Sequence, residues 1–454
     1  MYNRYSTSEW GGSVPEQWLR IPIKRLFNVV SGATPSSVDP KNWNGSIAWI
    51  TPADFSNTNR YIVKGKKSMT DIGYRSCGTT IVPQGSIVIT KRAPIGNVMI
   101  AANELCTNQG CLSLVKKKDI NEGYYYFLLS CYSGIFNALG TGTTFKEISL
   151  QTFSDFKIPV PSRDEQDQIV RYLDWKTSEI NRLIHGLEKE ISLLKERRNT
   201  IIDIYSTQGV DGAVLKRSNV HWLEKIPAHW NMVYAKKLFS QRQERAYAQD
   251  IQLTSSQKYG IISQHEFMEY EGRRVTVVLK GKDILKHVGK GDFVISMRSF
   301  QGGIEYSNVE GKISSAYVML IPNKEKVYSG YYKWLLKSRL YIKALQGTSD
   351  LVRDGQALRY ANFAKVYLPE VPLDEQKRIA QQIDQDVKKI DDAIPIIERE
   401  MELLREYRTR LISDVVTGQM DVRNVKIPDY VPEQDDAENA LNETDIGEVD
   451  ADAE

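Results

Sequence analysis

Two segments of the chain, 210 residues apart, repeat the same polar opening and the same spacing of apolar residues. Residues 164–174 read DEQDQIVRYLD, and residues 374–384 read DEQKRIAQQID. The segments around them, 153–207 and 363–417, align with each other without a gap. Self-similarity over this length indicates an internal duplication, so we expect two copies of one structural unit.

Each copy carries a heptad pattern of apolar residues. The first has Leu173, Ile180, Leu187, Leu194 and Ile201, and the second has Ile383, Ile390, Ile397, Leu404 and Leu411. Such a seam predicts a helix of about 40 residues that buries a narrow stripe against a second helix. Two helices that each lie on their own domain are the alternative. We favour an antiparallel pair, because the copies have equal length and a globular domain must lie between them in the chain.

Shorter matches precede the helices. Residues 9–27 (EWGGSVPEQWLRIPIKRLF) pair with 221–239 (HWLEKIPAHWNMVYAKKLF) at an offset of 212. Residues 85–92 (GSIVITKR) pair with 291–298 (GDFVISMR) at an offset of 206. The offset changes before the helices and is constant along them, which indicates that each half has a variable domain followed by a helix of fixed length.

These patterns predict an α+β fold: two globular domains separated by an antiparallel coiled coil of two long helices, related by a pseudo-twofold internal repeat. Within the domains, short apolar runs between Gly, Pro and Asn predict strands, whereas YYYFLLSCYSGIF and YYKWLLKSRLYIKAL predict helical segments. We expect five successive parts: a first globular domain at 1–157, a first helix at 158–208, a linker and second globular domain at 209–367, a second helix at 368–418, and an acidic, disordered tail at 419–454.

Charge is distributed unevenly along the chain. The net charge is +3, but residues 1–428 carry +14, because all 60 Lys and Arg residues and all but eleven of the 57 Asp and Glu residues lie there. A body this basic favours a polyanionic partner. A basic surface without such a partner is the alternative.

The sequence lacks the marks of membrane and secreted proteins. It contains no run of about 18 apolar residues, and its first residues have no apolar signal-peptide core, so we expect no membrane association and a cytoplasmic location. The cysteines have no finger-like His spacing and are expected to be free thiols without structural zinc; they are Cys77, Cys106, Cys111 and Cys131.

The duplicated order of these motifs is informative. Each half runs from W-x-x-x-[VI]-P-x-x-W, through a variable domain and a proline-punctuated IPVP or LPEVP, to EQ and a long helix. Over nearly its full length the chain resembles the specificity (S) subunit of type I restriction-modification systems. The resemblance implies two target-recognition domains that each read half of a bipartite, asymmetric site in double-stranded DNA. It also implies a coiled coil that sets the spacing, two methyltransferase (M) subunits and motor-nuclease (R) subunits as partners.

We find no convincing catalytic constellation in the sequence. It has no Pro-Pro pair, which a methyltransferase resembling those of such systems would need, and no P-loop or G-x-S-x-G motif. We therefore expect a non-catalytic subunit with no cofactor and no metal site. A stand-alone DNA methyltransferase or nuclease with an unrecognised active site is the alternative, and a coiled-coil adaptor that binds only protein is a third hypothesis.

The candidate DNA-binding residues lie where each half ends a strand. Lys91 and Arg92 precede the turn APIGN, and Arg298 precedes SFQGG, which contains Gln301. The arginine fork can bind guanine O6 and N7 together or clasp a phosphate, and a solvated strand end is the alternative.

Further candidates lie in polar loops. Asn108 and Gln109 are residue types that read adenine, although such a pair can also simply close a turn. Lys146, Arg353 and Arg359 lie in hydroxyl-rich segments near the domain ends, and we expect them to contact phosphates.

Overall fold

A computed structural model of the chain describes residues 5–8, 12–56, 59–142, 146–272, 284–296, 299–347 and 360–430. The described residues form two compact units. Unit 1 consists of the described residues within Met1–Leu187 and Arg399–Glu454, and unit 2 of those within Glu188–Glu398. The acidic segment 431–454, Arg298, Arg353 and Arg359 lie outside the described residues.

Unit 1 combines short strands with one long helix. Its strands are β1 (Tyr5–Ser8), β2 (Gly12–Pro15), β3 (Leu19–Pro22), β4 (Phe27–Ser31), β5 (Trp43–Ile50), β6 (Tyr61–Ile62), β7 (Lys67–Met69), β8 (Ile87–Thr90), β9 (Val98–Ala101), β10 (Leu105–Thr107), β11 (Cys111–Lys116) and β12 (Lys157–Val160). Its helices are α1 (Ile23–Leu26), α2 (Asp71–Arg75), α3 (Glu122–Cys131), α4 (Ser133–Leu139), α5 (Leu150–Asp155) and the first part of α6 (Arg163–Gln208).

Unit 2 has the same mixture of elements. Its strands are β13 (Leu215–Val220), β14 (Leu223–Pro227), β15 (Asn231–Tyr234), β16 (Phe239–Gln241), β17 (Leu253–Ser256), β18 (Gly260–Ser263), β19 (Lys286–Val288), β20 (Phe293–Ile295), β21 (Glu305–Tyr306), β22 (Gly311–Ile313), β23 (Val318–Pro322) and β24 (Tyr367–Glu370). Its helices are α7 (Gln264–Glu271), α8 (Ser299–Gly302), α9 (Ser329–Leu335), α10 (Arg339–Gln346), α11 (Tyr360–Ala364) and most of α12 (Leu373–Val416), which ends in unit 1.

The two units share one strand order. The main sheet of unit 1 runs β4-β11-β8-β9-β6, and that of unit 2 runs β16-β23-β20-β21. A separate antiparallel pair precedes each long helix: β3 with β12, where Leu19 lies opposite Val160, and β15 with β24, where Asn231 lies opposite Glu370. These pairs keep the same register, so the duplication predicted from the sequence is confirmed in the fold.

Equivalent aromatic residues fill the two cores. Phe27 meets Tyr125 edge to face with ring centroids 5.3 Å apart, and Phe239 meets Tyr332 in the same way at 5.4 Å. These four side chains are fully buried. The predicted helical segments are confirmed as the α3–α4 and α9–α10 pairs.

The repeated glutamine of DEQ joins each helix to its own domain. Gln166 accepts a hydrogen bond from the Asn121 backbone N–H at 2.9 Å and donates to the Pro161 carbonyl at 3.0 Å. Gln376 accepts from the Tyr328 backbone N–H at 2.7 Å and donates to two carbonyls, those of Lys326 at 2.8 Å and Val371 at 2.7 Å. A buried amide with both donors and acceptors can satisfy backbone groups that neither the helix nor the sheet satisfies.

The repeated aspartate ten residues into each motif makes a second connection. Asp174 accepts a hydrogen bond from Arg60 at 2.8 Å in unit 1. Asp384 accepts from the Trp334 indole at 2.8 Å and pairs with Lys333 at 2.9 Å in unit 2. The conserved spacing within the repeat therefore fixes equivalent attachment points while the partner residues differ.

The long helices pair antiparallel within each unit. In unit 1, Asn181 of α6 contacts Arg408 of α12. In unit 2, Arg198 pairs with Asp391 at 2.8 Å, and Tyr205, further along α6, contacts Asp386, which comes earlier in α12. The predicted antiparallel pairing of two long helices is confirmed.

The buried stripe of α6 departs slightly from the predicted heptads. Ile180 and Ile191 are buried, but Ile201 is only half-buried and Ile202 takes its place in the core of unit 2 at 4% exposure. A straight α-helix rotates about 20° per heptad relative to a strict seven-residue repeat, so the buried face moves to the next residue. Pro395 lies inside α12, which continues through it.

Candidate nucleic-acid interface

Lys91 and Arg92 lie at the point where the main sheet of unit 1 opens into a turn. All four residues of β8 are buried, and the chain leaves the core at Lys91. Gly96 closes the turn with φ +93°, and a Cβ there would lie 2.6 Å from the Ser133 Cα. The turn is therefore held tightly against α4, which limits the positions that its side chains can take.

One carboxylate holds both cations. Glu147 accepts from the Lys91 ammonium at 2.9 Å through Oε1 and from the Arg92 Nε at 2.7 Å through Oε2. Desolvation acts to raise the pKa of Glu147, but the hydrogen bonds and charges of the two cations outweigh it and lower that pKa. The Lys91 side chain is 12% exposed and that of Arg92 is 43% exposed, so Arg92 alone offers much of its surface to a ligand.

A second loop lies against the same turn. The Gly110 carbonyl accepts from the backbone N–H of Lys91 at 2.8 Å, which places residues 108–110 beside the end of β8. Asn108 accepts from the Gly110 N–H at 2.9 Å and so closes its own turn, while Gln109 is exposed and accepts a hydrogen bond from the Thr34 hydroxyl. Turn closure was one of the two roles left open for this pair.

Lys146 lies in the third loop of this group. Gly140 stands beside it, and a Cβ on Gly140 would lie 3.2 Å from the Lys146 Cγ and 2.7 Å from the Ile95 Cδ1. The fold thus brings five predicted residues together from three loops, which we call the unit 1 loop cluster: residues 91–97, 108–110, 140–142 and 146–148. Their contact with DNA remains a prediction.

In unit 2, the segment that follows β20 is equivalent to the turn that follows β8 in unit 1. Gln301 is exposed on the short helix α8, whose first residue, Ser299, is buried and accepts from the Ser296 backbone N–H at 2.9 Å. Gly303 ends the turn with φ +81°, as Gly96 does in unit 1. The predicted residues Arg298, Arg353 and Arg359 lie outside the described residues.

The sequence patterns missed some residues of unit 1 that are relevant to DNA binding. Glu147 is 55 positions from Arg92, so no local spacing pointed to their pairing. Lys64, Lys66 and Lys67 are exposed in unit 1, and the Lys67 ammonium lies 5.3 Å from the ring centroid of Trp43. Their run, KGKK, was visible in the sequence as a basic segment and could have been included as a candidate phosphate contact.

Several findings concern chemistry other than DNA binding. Among the described residues no group of three or more His, Cys, Asp or Glu is placed to hold a metal ion. The four cysteines are free thiols, as predicted. Burial raises the pKa values of Cys106 and Cys131 to about 12, and a thiol that stays protonated is a poor nucleophile. None of the helices in the described ranges has the length and apolar character that crossing a bilayer requires.

The long helices also expose apolar side chains. In unit 2, Leu193 is 57% exposed; in unit 1, its counterpart in the repeat, Leu403, is 48% exposed. Each unit therefore presents an equivalent apolar position on a long helix.

Comparison with known families identifies a domain in the first half of the chain. Residues 15–193 match the family described as type I restriction modification DNA specificity domain. This match covers β3 to β12, α1 to α5 and more than half of α6.

Individual relatives extend the similarity. The type I restriction enzyme MjaIX specificity subunit of Methanocaldococcus jannaschii is 35% identical over 228 residues, which are 49% of this chain and 51% of the relative, so that alignment spans about half of either protein. The MjaVIII specificity subunit of the same organism is 22% identical over 91% of this chain and 96% of its own length. The EcoR124I/EcoR124II specificity subunit of Escherichia coli is 30% identical over 37% of this chain and 42% of its own.

Solved structures share the fold. A chain from a study of complex assembly and conformational transition of the type I R-M system has a TM-score of 0.65 at 14% identity, covering 90% of this chain and 99% of its own. The HsdS subunit from Thermoanaerobacter tengcongensis has a TM-score of 0.52 at 13% identity, covering 90% and 98%. The chain therefore carries a type I restriction modification DNA specificity domain at residues 15–193, and over most of its length it is similar to type I restriction enzyme specificity subunits.

Proposed function

We propose that this chain is a DNA-binding specificity subunit that reads a bipartite, asymmetric site in double-stranded DNA, one half with each globular domain. The observation that carries this proposal is the strand order shared by β4-β11-β8-β9 and β16-β23-β20-β21, because the same frame carries different loops in the two units. One frame with two sets of loops suits two half-sites of different sequence. This function places the protein with the cellular DNA, in line with the cytoplasmic location predicted from its sequence.

The parts of the chain take the following roles in this proposal. Residues 1–157 and 209–367 are the recognition domains, residues 158–208 and 368–418 are the helical spacer, and residues 419–454 form an acidic tail. The proposed DNA contacts are Lys91, Arg92, Asn108, Gln109, Lys146, Arg298, Gln301, Arg353 and Arg359.

DNA binding is tested with the full chain and duplex DNA over a range of salt concentrations. Phosphate contacts release counterions, so the logarithm of the affinity should fall steeply and linearly with the logarithm of the salt concentration. Arg92→Ala should weaken binding, whereas Arg171→Ala, which removes an exposed arginine from α6, serves as the control. A salt-independent or undetectable affinity would favour an adaptor that binds only protein.

The chain has no catalytic role of its own in this proposal. Incubating the purified chain with duplex DNA, S-adenosylmethionine, ATP and magnesium should give neither methylation nor cleavage. Turnover that purifies with this chain alone would instead support the alternative of a stand-alone methyltransferase or nuclease.

The partners are two methyltransferase subunits, joined by motor-nuclease subunits in the restriction complex. The support for two copies is that the duplicated helices expose equivalent apolar residues, Leu193 and Leu403. Native mass measurement of the reconstituted complex should show two methyltransferase subunits for each chain. Leu193→Glu and Leu403→Glu should each weaken the binding of one copy, and a wild-type complex with a single copy would contradict the stoichiometry.

A further inference from the structure

Glu147 is fixed in the unit 1 loop cluster by its backbone as well as by its side chain. Its main chain pairs in antiparallel bridges with Arg92 and with Thr141. The next residue, Ile148, donates its N–H to the Lys91 carbonyl at 3.0 Å. The carboxylate and the two cations are therefore held on adjacent, hydrogen-bonded segments, and their contact does not depend on side-chain packing alone.

The two cations use the carboxylate differently. Lys91 is largely buried, and its ammonium contacts Glu147 within the protein. Arg92 gives only its Nε to Glu147, and within the described residues no other hydrogen bond of this guanidinium is present. The terminal edge formed by Nη1 and Nη2 is thus available, and two parallel N–H groups on one edge match O6 and N7 of guanine in the major groove.

The negative charge of Glu147 indicates that this residue orients a neighbouring cation and does not itself attract DNA. A surface that binds phosphate only through charge gains nothing from a carboxylate beside its cations, because the carboxylate repels the DNA backbone. A carboxylate that orients an arginine brings a different benefit. A free arginine must lose about 2 kcal/mol of rotamer entropy to adopt one geometry, and an arginine held in advance loses less on binding.

We propose that Glu147 is a positioning residue that fixes Arg92 through Nε, and that Arg92 held in this way reads a guanine in the half-site bound by unit 1. The inference rests on the proposed DNA-binding function and adds the base that this residue selects. It also separates the two neighbouring cations, since Lys91 supports Glu147 and Arg92 contacts the base.

The experiment selects bound sequences from a library of random DNA duplexes with the full chain and its Glu147→Gln and Arg92→Ala variants. Wild-type selection should give two half-sites, with guanine at one position that depends on Arg92. Glu147→Gln keeps the size of the side chain but cannot accept from both cations through charged oxygens. It should lower the preference for that guanine roughly 10-fold or more, the range expected when a bidentate base contact is lost. Affinity for unrelated duplexes should stay the same or rise, because a negative charge has been removed.

Glu122→Gln is a matched control in the same unit. Glu122 pairs with Lys116 at 2.8 Å, its side chain is 34% exposed, close to the 31% of Glu147, and its pKa is also lowered. This variant should leave the selected sequences unchanged. The double variant Arg92→Ala with Glu147→Gln should match Arg92→Ala alone, because a positioning residue has no effect once the residue it positions is gone.

The outcomes separate the inference from the function on which it rests. If the wild type selects no sequence at all, the proposed function fails. If Arg92→Ala loses the guanine but Glu147→Gln keeps it, the positioning role is refuted. If neither variant changes the selected bases, Arg92 does not read the half-site. A purely structural role for Glu147 would appear as a loss of preference at every base of the half-site bound by unit 1, together with a lower melting temperature.

Discussion

Gln376 offers a sharp test of how the long helix is attached to unit 2. The side chain is fully buried and makes three hydrogen bonds with backbone groups: it donates to the carbonyls of Lys326 and Val371 and accepts from the Tyr328 N–H. Gln376→Ala removes all three and leaves two carbonyls and one N–H without that partner. Each such bond is worth about 1 kcal/mol net and more when a buried group stays unsatisfied, so the unfolding free energy should fall by roughly 3 kcal/mol or more.

The isosteric change Gln376→Glu sharpens the test. It replaces the amide nitrogen with an oxygen that faces two carbonyl oxygens, so at neutral pH the charged form is repelled and poorly solvated. The pKa of the new carboxyl group should therefore be raised in the folded state. A raised pKa means that the variant is most stable below the pKa of the unfolded chain, near 4.3, and loses stability as the pH rises through the folded-state value.

The assay is denaturant unfolding of the full chain, together with hydrogen exchange at the Tyr328 amide, which reports the local contact. Gln385→Ala, at an exposed position of the same helix, is the control and should change the unfolding free energy by no more than about 0.5 kcal/mol. Gln166→Ala, which removes two bonds in unit 1, should cost less than Gln376→Ala. An effect of Gln376→Ala as small as that of the control, with unchanged exchange at Tyr328, would refute this account of the DEQ repeat.

Further predictions concern backbone geometry and helix length. Gly303→Ala should destabilise unit 2 more than Gly291→Ala in thermal unfolding: both glycines have positive φ, but a Cβ at 303 would lie 2.4 Å from the Leu336 carbonyl oxygen and one at 291 meets nothing within 4 Å. Gly186→Ala, in open space on α6, should raise stability by about 1 kcal/mol, and Pro395→Ala, inside α12, by up to about 3 kcal/mol, both measured by denaturant unfolding. Seven residues inserted at matched heptad positions of both long helices lengthen each by about 10 Å. The sequences that the full chain selects from random DNA duplexes should then show a longer spacer between unchanged half-sites. An unchanged spacer in a folded protein would contradict the role of the helices in setting the distance between half-sites.

The long helices could be predicted from the sequence because their apolar residues recur with a regular seven-residue spacing. Ser162 and Glu165 have the three-residue spacing of a capping box, and they cap α6, with the Ser162 N–H donating to the Glu165 carboxylate at 3.1 Å. The heptad pattern located the buried face through Leu173 and Ile180, both of which are buried. Periodicity could not show that burial moves from Ile201 to Ile202, because that shift depends on how far the helix rotates along its partner.

Only part of the candidate DNA-binding site could be predicted from the sequence. The strand end at Lys91 and Arg92 followed from composition and turn residues, both of which are local. Glu147 was missed because its role depends on two distant segments meeting in the fold, and nothing in its neighbours marks it. The same applies to the glutamine of DEQ: the repeat showed that it matters, but its backbone partners became clear only from the structure.

The division of the two long helices between the units has a consequence for folding during synthesis. Unit 2 is one continuous stretch, Glu188–Glu398, so a ribosome delivers all its parts in succession. Unit 1 is interrupted: Ile180 and Ile184 of α6 emerge early, but the segment that supplies Arg408 and Val416 is made only after all of unit 2. At about 5–20 residues per second, the more than 200 intervening residues take on the order of 10 seconds or longer. During this interval the apolar stripe at the start of α6 lacks its partner helix, so we expect aggregation to be most pronounced while only the first half of the chain has been made.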